Sequence, residues 1–196
     1  MTNRSEHLAS RRPCFHWRVR RCVDRHTGPI DVIRRASRPE TAALLEAPDG
    51  SHFLPAEGGQ AAGSSGLMVY RFGAPLYFAN ATLFLDDVER LVTQSPTPVR
   101  WFVLDAQAMV DVDTTGAGAL RQAITLLTKR NITFAISRAD RSFRSWVEQY
   151  HLSELIAPDR FYPTNRHAAQ AFRQSPESAA AKTASTAAAK RDGGDD

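Results

Sequence analysis

Residues 111–118 read Asp-Val-Asp-Thr-Thr-Gly-Ala-Gly and follow the apolar run Val-Arg-Trp-Phe-Val-Leu-Asp-Ala at 99–106. Two carboxylates, Asp111 and Asp113, thus stand beside two hydroxyls, Thr114 and Thr115, at a turn from strand to helix. Three chemistries use such groups. In the first, Asp113 or Thr114 caps the helix, whose first four amides have no partner within it. Gly116 and Gly118 then allow a tight turn and the approach of another surface. In the second, a threonine hydroxyl carries phosphate, favoured by the amides and by the positive end of the helix dipole. The carboxylates of Asp111 and Asp113 oppose that charge, so modification would change the local field substantially. In the third, Asp105, Asp111 and Asp113 hold magnesium. Asp105 is distant in sequence and no phosphate loop accompanies it, so no metal is expected.

Catalytic sets are hard to place. There is no Gly-x-Ser-x-Gly, no Walker A pattern and no Gly-x-Gly-x-x-Gly. The core histidines, His151 and His167, fall on helical surface positions. The chain is therefore read as a non-enzyme with no cofactor required. Cys14 and Cys22 are its only cysteines, and with His16 and His26 they lack a zinc-knuckle spacing. They read as solvated arm residues, and a cysteine-free core suits a reducing cytoplasm.

The elements that must position the motif lie in the centre of the chain, because apolar residues concentrate between Gly66 and Arg173. Leu67–Phe72 reads as a strand, Gly73-Ala74-Pro75 as a turn, and 74–81 as a second strand pairing antiparallel with the first. Asn80 then caps a helix carrying Phe84, Leu85, Val88, Leu91 and Val92. The run 99–106 is a covered strand. The following helix carries Ala117, Leu120, Ile124 and Leu127 on one stripe and ends near 129–131. Residues 132–137 form a strand. Asp140 caps a helix with Phe143, Trp146, Val147 and Tyr150. A short strand near 160–163 follows, and Thr164 caps a last helix with Ala168, Ala171 and Phe172. Strand–helix repeats with short links predict right-handed crossovers and a mostly parallel sheet. Trp101, Phe134, Phe143, Trp146 and Tyr150 are read as core. Tyr77 and Phe78 are neighbours on an extended segment, so one of them points outward, and an exposed one marks a docking face.

The flanks differ in composition. Residues 1–29 form a basic arm without periodicity, and 1–38 hold ten arginines against Glu6, Asp24 and Asp31. Such an arm suits an anionic membrane surface, where each basic group contributes about 1 kcal/mol, and nucleic acid is not expected as a partner. Residues 30–65 read as an Arg-rich, Pro-punctuated connector with a little helical potential, closing in the Gly/Ser/Ala stretch 55–66. Residues 66–173 are the folded domain, and 174–196 a disordered low-complexity tail. No apolar run is long enough to span a bilayer, and the basic N-terminus lacks the apolar core of a secretory signal.

The strand 99–106, the Asp113-Thr114-Thr115-Gly116 motif, its amphipathic helix and the strand beginning Asn131-Ile132-Thr133 together resemble the STAS domain. The stretch Gly-Leu-Met-Val-Tyr-Arg-Phe-Gly-Ala-Pro-Leu-Tyr-Phe-Ala-Asn-Ala, 66–81, is similar to the branch found at the C-terminus of SulP-type anion transporters. The segment from Ile30 resembles the connector those transporters place before that domain, so the likeness runs from about Ile30 to Phe172. It implies an α/β STAS (anti-sigma factor antagonist-like) fold, with a small mostly parallel sheet and helices packed mainly on one face. It also implies a regulatory or interaction role at the cytoplasmic side, at the inner face of the membrane. The chain would be a detached or truncated tail, its partner the membrane region of a SulP-type sulfate or anion transporter or another cytosolic protein. Tyr77, Phe78 and Asn80 are the candidate contact residues. Two alternatives stay open. One is a free-standing anti-sigma factor antagonist that meets an anti-sigma factor and kinase and is switched at Thr114, where serine is usual, with Thr115 beside it. The other is a guanine-nucleotide-binding module with its phosphate seat at Thr114–Gly118.

Overall fold

The computed structural model describes residues 37–47, 49–50, 52–56 and 66–179. Its elements in chain order are β1 (Thr41–Glu46), β2 (Phe53–Pro55), β3 (Leu67–Phe72), α1 (Ala81–Thr93), β4 (Trp101–Asp105), α2 (Thr114–Lys129), β5 (Thr133–Ser137), α3 (Arg141–Gln149), β6 (Phe161–Tyr162) and α4 (Asn165–Gln174). One six-stranded sheet takes the order β2-β1-β3-β4-β5-β6. From β3 to β6 the strands are parallel, while β1 is antiparallel to both β2 and β3. This is the mixed, mostly parallel α/β sheet that the strand–helix alternation predicts.

Side-chain alternation divides the core between the two faces. Met68, Tyr70 and Phe72 of β3, Phe102 and Leu104 of β4 and Ile136 of β5 meet the apolar stripes of α1, α2 and α3. Leu67 and Val69, Trp101 and Val103, and Ala135 point to the other face, where Ala168, Ala169 and Phe172 of α4 cover them. Among the described residues, α1, α2 and α3 pack on one side and α4 on the other, the expected layering. Trp101, Phe134 and Phe143 are buried, and Trp146 and Tyr150 pack at the margin of the larger cluster.

Two expectations about elements need correction. Residues 74–81 do not form a strand antiparallel to β3. Only Leu76 makes a bridge, parallel to Val112, and residues 77–80 turn into α1. Pro75 has no N–H to give a ladder, and the strand actually antiparallel to β3 is β1, which lies in the segment read as connector. Thr41–Glu46, Thr-Ala-Ala-Leu-Leu-Glu, carries helix formers yet pairs along β3 from Thr41↔Phe72 to Leu44↔Val69. Tertiary pairing overrides that propensity because Leu44 is buried in the α4-side core. Gly73 marks the close approach of this pair, since a Cβ there would lie 2.5 Å from the Glu40 carbonyl oxygen.

The basic arm 1–29 with Cys14, His16, Cys22 and His26 lies outside the described residues, as do most of the Gly/Ser/Ala stretch and residues 180–196 of the tail. Ser178, within the expected tail, is buried.

Candidate functional site at the start of helix α2

The Asp-Thr-Thr motif sits where sequence places it, at the carboxyl end of a central strand. Asp113 is the N-cap of α2 with extended backbone, and its Oδ1 accepts from Gly116 N at 2.7 Å. Its other oxygen, Oδ2, accepts from Phe78 N at 2.9 Å. One carboxylate therefore does two jobs: it starts the helix and ties the helix to the 73–80 loop. The tie is reinforced by backbone, with Leu76 N donating to Asp111 O at 3.0 Å and Asp113 N donating to Leu76 O at 3.1 Å. Gly116 is required by this closeness, because a Cβ would fall 2.2 Å from the Leu76 carbonyl oxygen. Gly118 has no such constraint, with open space around its missing Cβ.

Thr114 and Thr115 occupy the first helical turn and both are exposed. Asp111 is exposed too, and its Oδ1 accepts from the Val112 N–H. The hydroxyls, the helix start and two acidic groups thus share one surface. Phe78 stands beside them, 73% exposed, the most exposed large apolar side chain among the described residues. Tyr77 is half-buried, with its ring 6.3 Å from that of Phe78. Of the two neighbours, it is Phe78 that points outward. Asn80 has a different role from surface contact. It is buried, its Oδ1 accepts from Tyr77 N at 3.0 Å and its Nδ2 donates to Pro75 O at 3.0 Å. It holds the N-cap position of α1 without a side-chain capping bond to that helix. Its amide braces the loop that presents Phe78. Asp140 and Thr164 do cap by side chain, accepting from Phe143 N and His167 N.

Asp105 does not join Asp111 and Asp113. It is fully buried at the end of β4, held by Arg71 Nε at 3.1 Å, by Arg138 through Nε at 2.8 Å and through Nη2, and by Asn165 Nδ2 at 3.2 Å. Burial pushes its carboxyl pKa upward, but the hydrogen bonds from Arg138, Asn165 and Arg71 outweigh that and leave it below the ordinary value. Among the described residues no group of three or more histidine, cysteine, aspartate or glutamate side chains is arranged to hold a metal ion.

Sequence reasoning missed this Asp105 network. Arg71, Asp105 and Ser137 are cross-strand partners in one row on β3, β4 and β5, and Asn165 at the start of α4 completes it by bonding Ser137 and Asp105. A charged residue closing an otherwise apolar strand, as in Trp-Phe-Val-Leu-Asp, was the one available signal. A second buried pair escaped likewise: Tyr70 Oη donates to Asp87 Oδ2 at 2.8 Å, and Arg90 Nη2 donates to Asp87 Oδ1 at 2.6 Å. Burial, then the adjacent Asp87 charge, drives the Tyr70 phenol pKa upward.

Comparison with known proteins follows the same geometry. Residues 60–168 match the STAS domain family. A probable sulfate transporter of Mycobacterium tuberculosis (Rv1739c) is 37% identical over 147 residues, which are 74% of this chain and 26% of that protein. Sulfate transporter 3.2 of Arabidopsis thaliana is 26% identical over 113 residues, covering 54% of this chain and 18% of its own length. The chain thus spans about a quarter or less of the length of these relatives. In fold it is similar to the murine Slc26a9 anion transporter in the inward-facing state, with a TM-score of 0.65 at 17% identity over 74% of this chain and 24% of the other. It is also similar to a sulfate transporter family protein from Wolinella succinogenes, with a TM-score of 0.51 at 15% identity, covering 66% of this chain and 94% of that one. Among the described residues no helix is long and apolar enough to cross a membrane. By its sheet order, its Asp113-Thr114-Thr115-Gly116 helix start and this match, the chain belongs to the STAS domain family, with homology to SulP sulfate transporters.

Proposed function

We propose that this chain is a non-catalytic regulatory module whose surface at the start of α2 contacts the membrane part of a SulP-type anion transporter at its cytoplasmic face and modulates transport. The observation that carries this reading is Phe78. Its ring is 73% exposed on a loop braced by Asn80, Asp113 and the Leu76 backbone. A large apolar group held rigidly in water is characteristic of a contact surface, and aromatic anchors dominate binding energy when a partner covers them. The likeness to proteins named as sulfate transporters supplies the class of partner. The test is co-purification of the full chain with a SulP-type transporter from membranes, alongside sulfate uptake. Phe78→Ser should weaken co-purification about tenfold or more and alter uptake, with the fold unchanged by circular dichroism. Equal recovery of wild type and variant would refute the surface, and no association with any such transporter would refute the function.

A second reading is favoured by the exposed hydroxyl of Thr114 at the first position of α2. As an anti-sigma factor antagonist the chain would be switched by phosphate there, with Asp111 and Asp113 opposing the new charge. Phosphosite mass spectrometry after incubation with a cognate kinase tests it, and an unmodified Thr114 rejects it. A guanine nucleotide seated at Thr114–Gly118 is the third proposal. It has less to work with, because the Gly116 amide is already committed to Asp113. Titration calorimetry with GTP and GDP decides it.

A further inference from the structure

We propose that the groove between α1 and α2 is a self-association surface, which pairs with the same groove of a second copy of this chain about a two-fold axis. The groove measures about 690 Å³. Leu85 of α1 and Leu126 of α2 line it, and both are half-buried, packed against the larger core cluster yet open to water. On α2 it begins at Arg121, about two turns from Thr114. It goes beyond the transporter reading, because the Phe78 surface and the groove can be occupied at the same time and each is tested without the other.

Charge selects the occupant. The α1 wall holds Asp86 and Glu89, the α2 wall Arg121 and Lys129, with Arg130 at the C-cap. Several of these groups are committed within the molecule. Arg130 donates to Thr93 Oγ1 at 3.0 Å and to Glu89 Oε1 at 3.3 Å, and Arg121 Nη2 donates to the backbone carbonyls of Tyr150 and His151. Asp86 and Lys129 remain. Both are exposed, and neither forms an ion pair among the described residues. One wall thus offers a free acid and the other a free base.

Their positions decide what fits. β3, β4 and β5 are parallel, so α1 and α2, which link them, run in the same direction. The bond from Arg130 to Thr93 sets their ends level. Asp86 is seven residues back from Thr93 and Lys129 one residue back from Arg130. At about 1.5 Å per residue the two charges are offset by about 9 Å along the groove, at diagonal corners. A two-fold axis lying in the contact plane, midway between them and at right angles to the line joining them, exchanges those corners. Asp86 of each copy then meets the partner's Lys129, the pair forms twice, and the leucine floors cover one another. A two-fold contact must be self-complementary in this way. A partner carrying a single sign of charge would satisfy one corner and be repelled at the other, so a second copy is the better occupant. Exposed ion pairs add little strength, so the dimer forms reversibly and depends on concentration.

Sedimentation equilibrium of the full chain, from about 1 µM to about 1 mM, tests the proposal. A concentration-dependent dimer that weakens as salt rises is expected. Asp86→Lys sets like charges together at both pairs, and so does Lys129→Asp. Each should weaken the dimer about tenfold or more. Mixing the two variants should restore it, because every pair in the mixed dimer again joins opposite charges, and recovery also shows that both variants fold. Glu154→Lys, the same charge change at an exposed position outside the groove, should dimerise as wild type does, and so should Phe78→Ser. A monomer throughout the range, a dimer indifferent to both reversals, no recovery on mixing, or equal loss in Glu154→Lys or Phe78→Ser would each overturn the proposal. Co-purification with a transporter is read separately, so its failure leaves this result standing.

Discussion

Two glycines two residues apart in α2 should respond to the same substitution with opposite sign. In a helix interior, replacing glycine by alanine removes backbone freedom from the unfolded chain and stabilises by up to about 1 kcal/mol. At Gly118 a Cβ meets nothing within 4 Å, so Gly118→Ala should realise that gain. At Gly116 the Cβ would lie 2.2 Å from the Leu76 carbonyl oxygen and 2.7 Å from its carbon. Ordinary contact distances exceed 3.4 Å, so helix and loop must separate by more than 1 Å. That oxygen accepts from Asp113 N, and Asp113 in turn holds Phe78. Overpacking of this kind costs about 1–3 kcal/mol, and strained bonds in the tie add to it. Net of the propensity gain, Gly116→Ala should lose about 1–2 kcal/mol. Urea unfolding followed by circular dichroism reads both variants against wild type. If Gly116→Ala proved as stable as Gly118→Ala, the close packing of α2 on the 73–80 loop would be wrong, and with it the placement of Phe78 beside Thr114.

Other expectations follow from the same contacts. Asp113→Ala should cost about 2 kcal/mol, more than Asp140→Ala at about 1 kcal/mol, because Asp113 loses a second backbone partner besides its cap; paired urea melts would show the ranking. Tyr70→Phe takes the hydroxyl donor from Oδ2 of the buried Asp87, which keeps only Arg90 on Oδ1, and should cost about 1–3 kcal/mol, seen as a lower thermal midpoint. Asp105 titrates below its ordinary 3.8 in the folded chain, so its ionised form stabilises the fold above that value. The contribution is lost as pH falls from about 4 through the folded pKa. Stability measured between pH 5 and 2 should therefore fall less steeply in Arg138→Gly, which removes the strongest of the bonds holding Asp105 ionised, than in wild type.

How much of this was legible in the sequence depends on the range of the interaction involved. The Asp113 and Asp140 caps, the stripe of α2 and the apolar strand β4 are local patterns, and each element formed as its spacing indicates. The motif's exposure at a helix start follows from the same local logic. Thr41–Glu46 misled because alanine, leucine and glutamate favour helix, and only pairing with β3 makes it a strand. Residues 74–81 misled in the opposite direction. Their aromatics suggest a strand, but Pro75 and the Asn80 side chain close a loop instead. The Arg71–Asp105–Arg138–Asn165 set could not be read at all, because its members are 34, 33 and 60 positions from Asp105 and meet only through sheet register and the docking of α4.

The most direct measurement of the central claim is site-specific photocross-linking in cells that hold a SulP-type transporter. A photoreactive phenylalanine analogue is placed at Phe78, and for comparison at Leu155, another exposed apolar position, away from the α2 start. The account predicts a covalent product with the transporter's membrane part from position 78 and none from position 155. Equal products from both positions, or none from position 78 while the two proteins still co-purify, would contradict it.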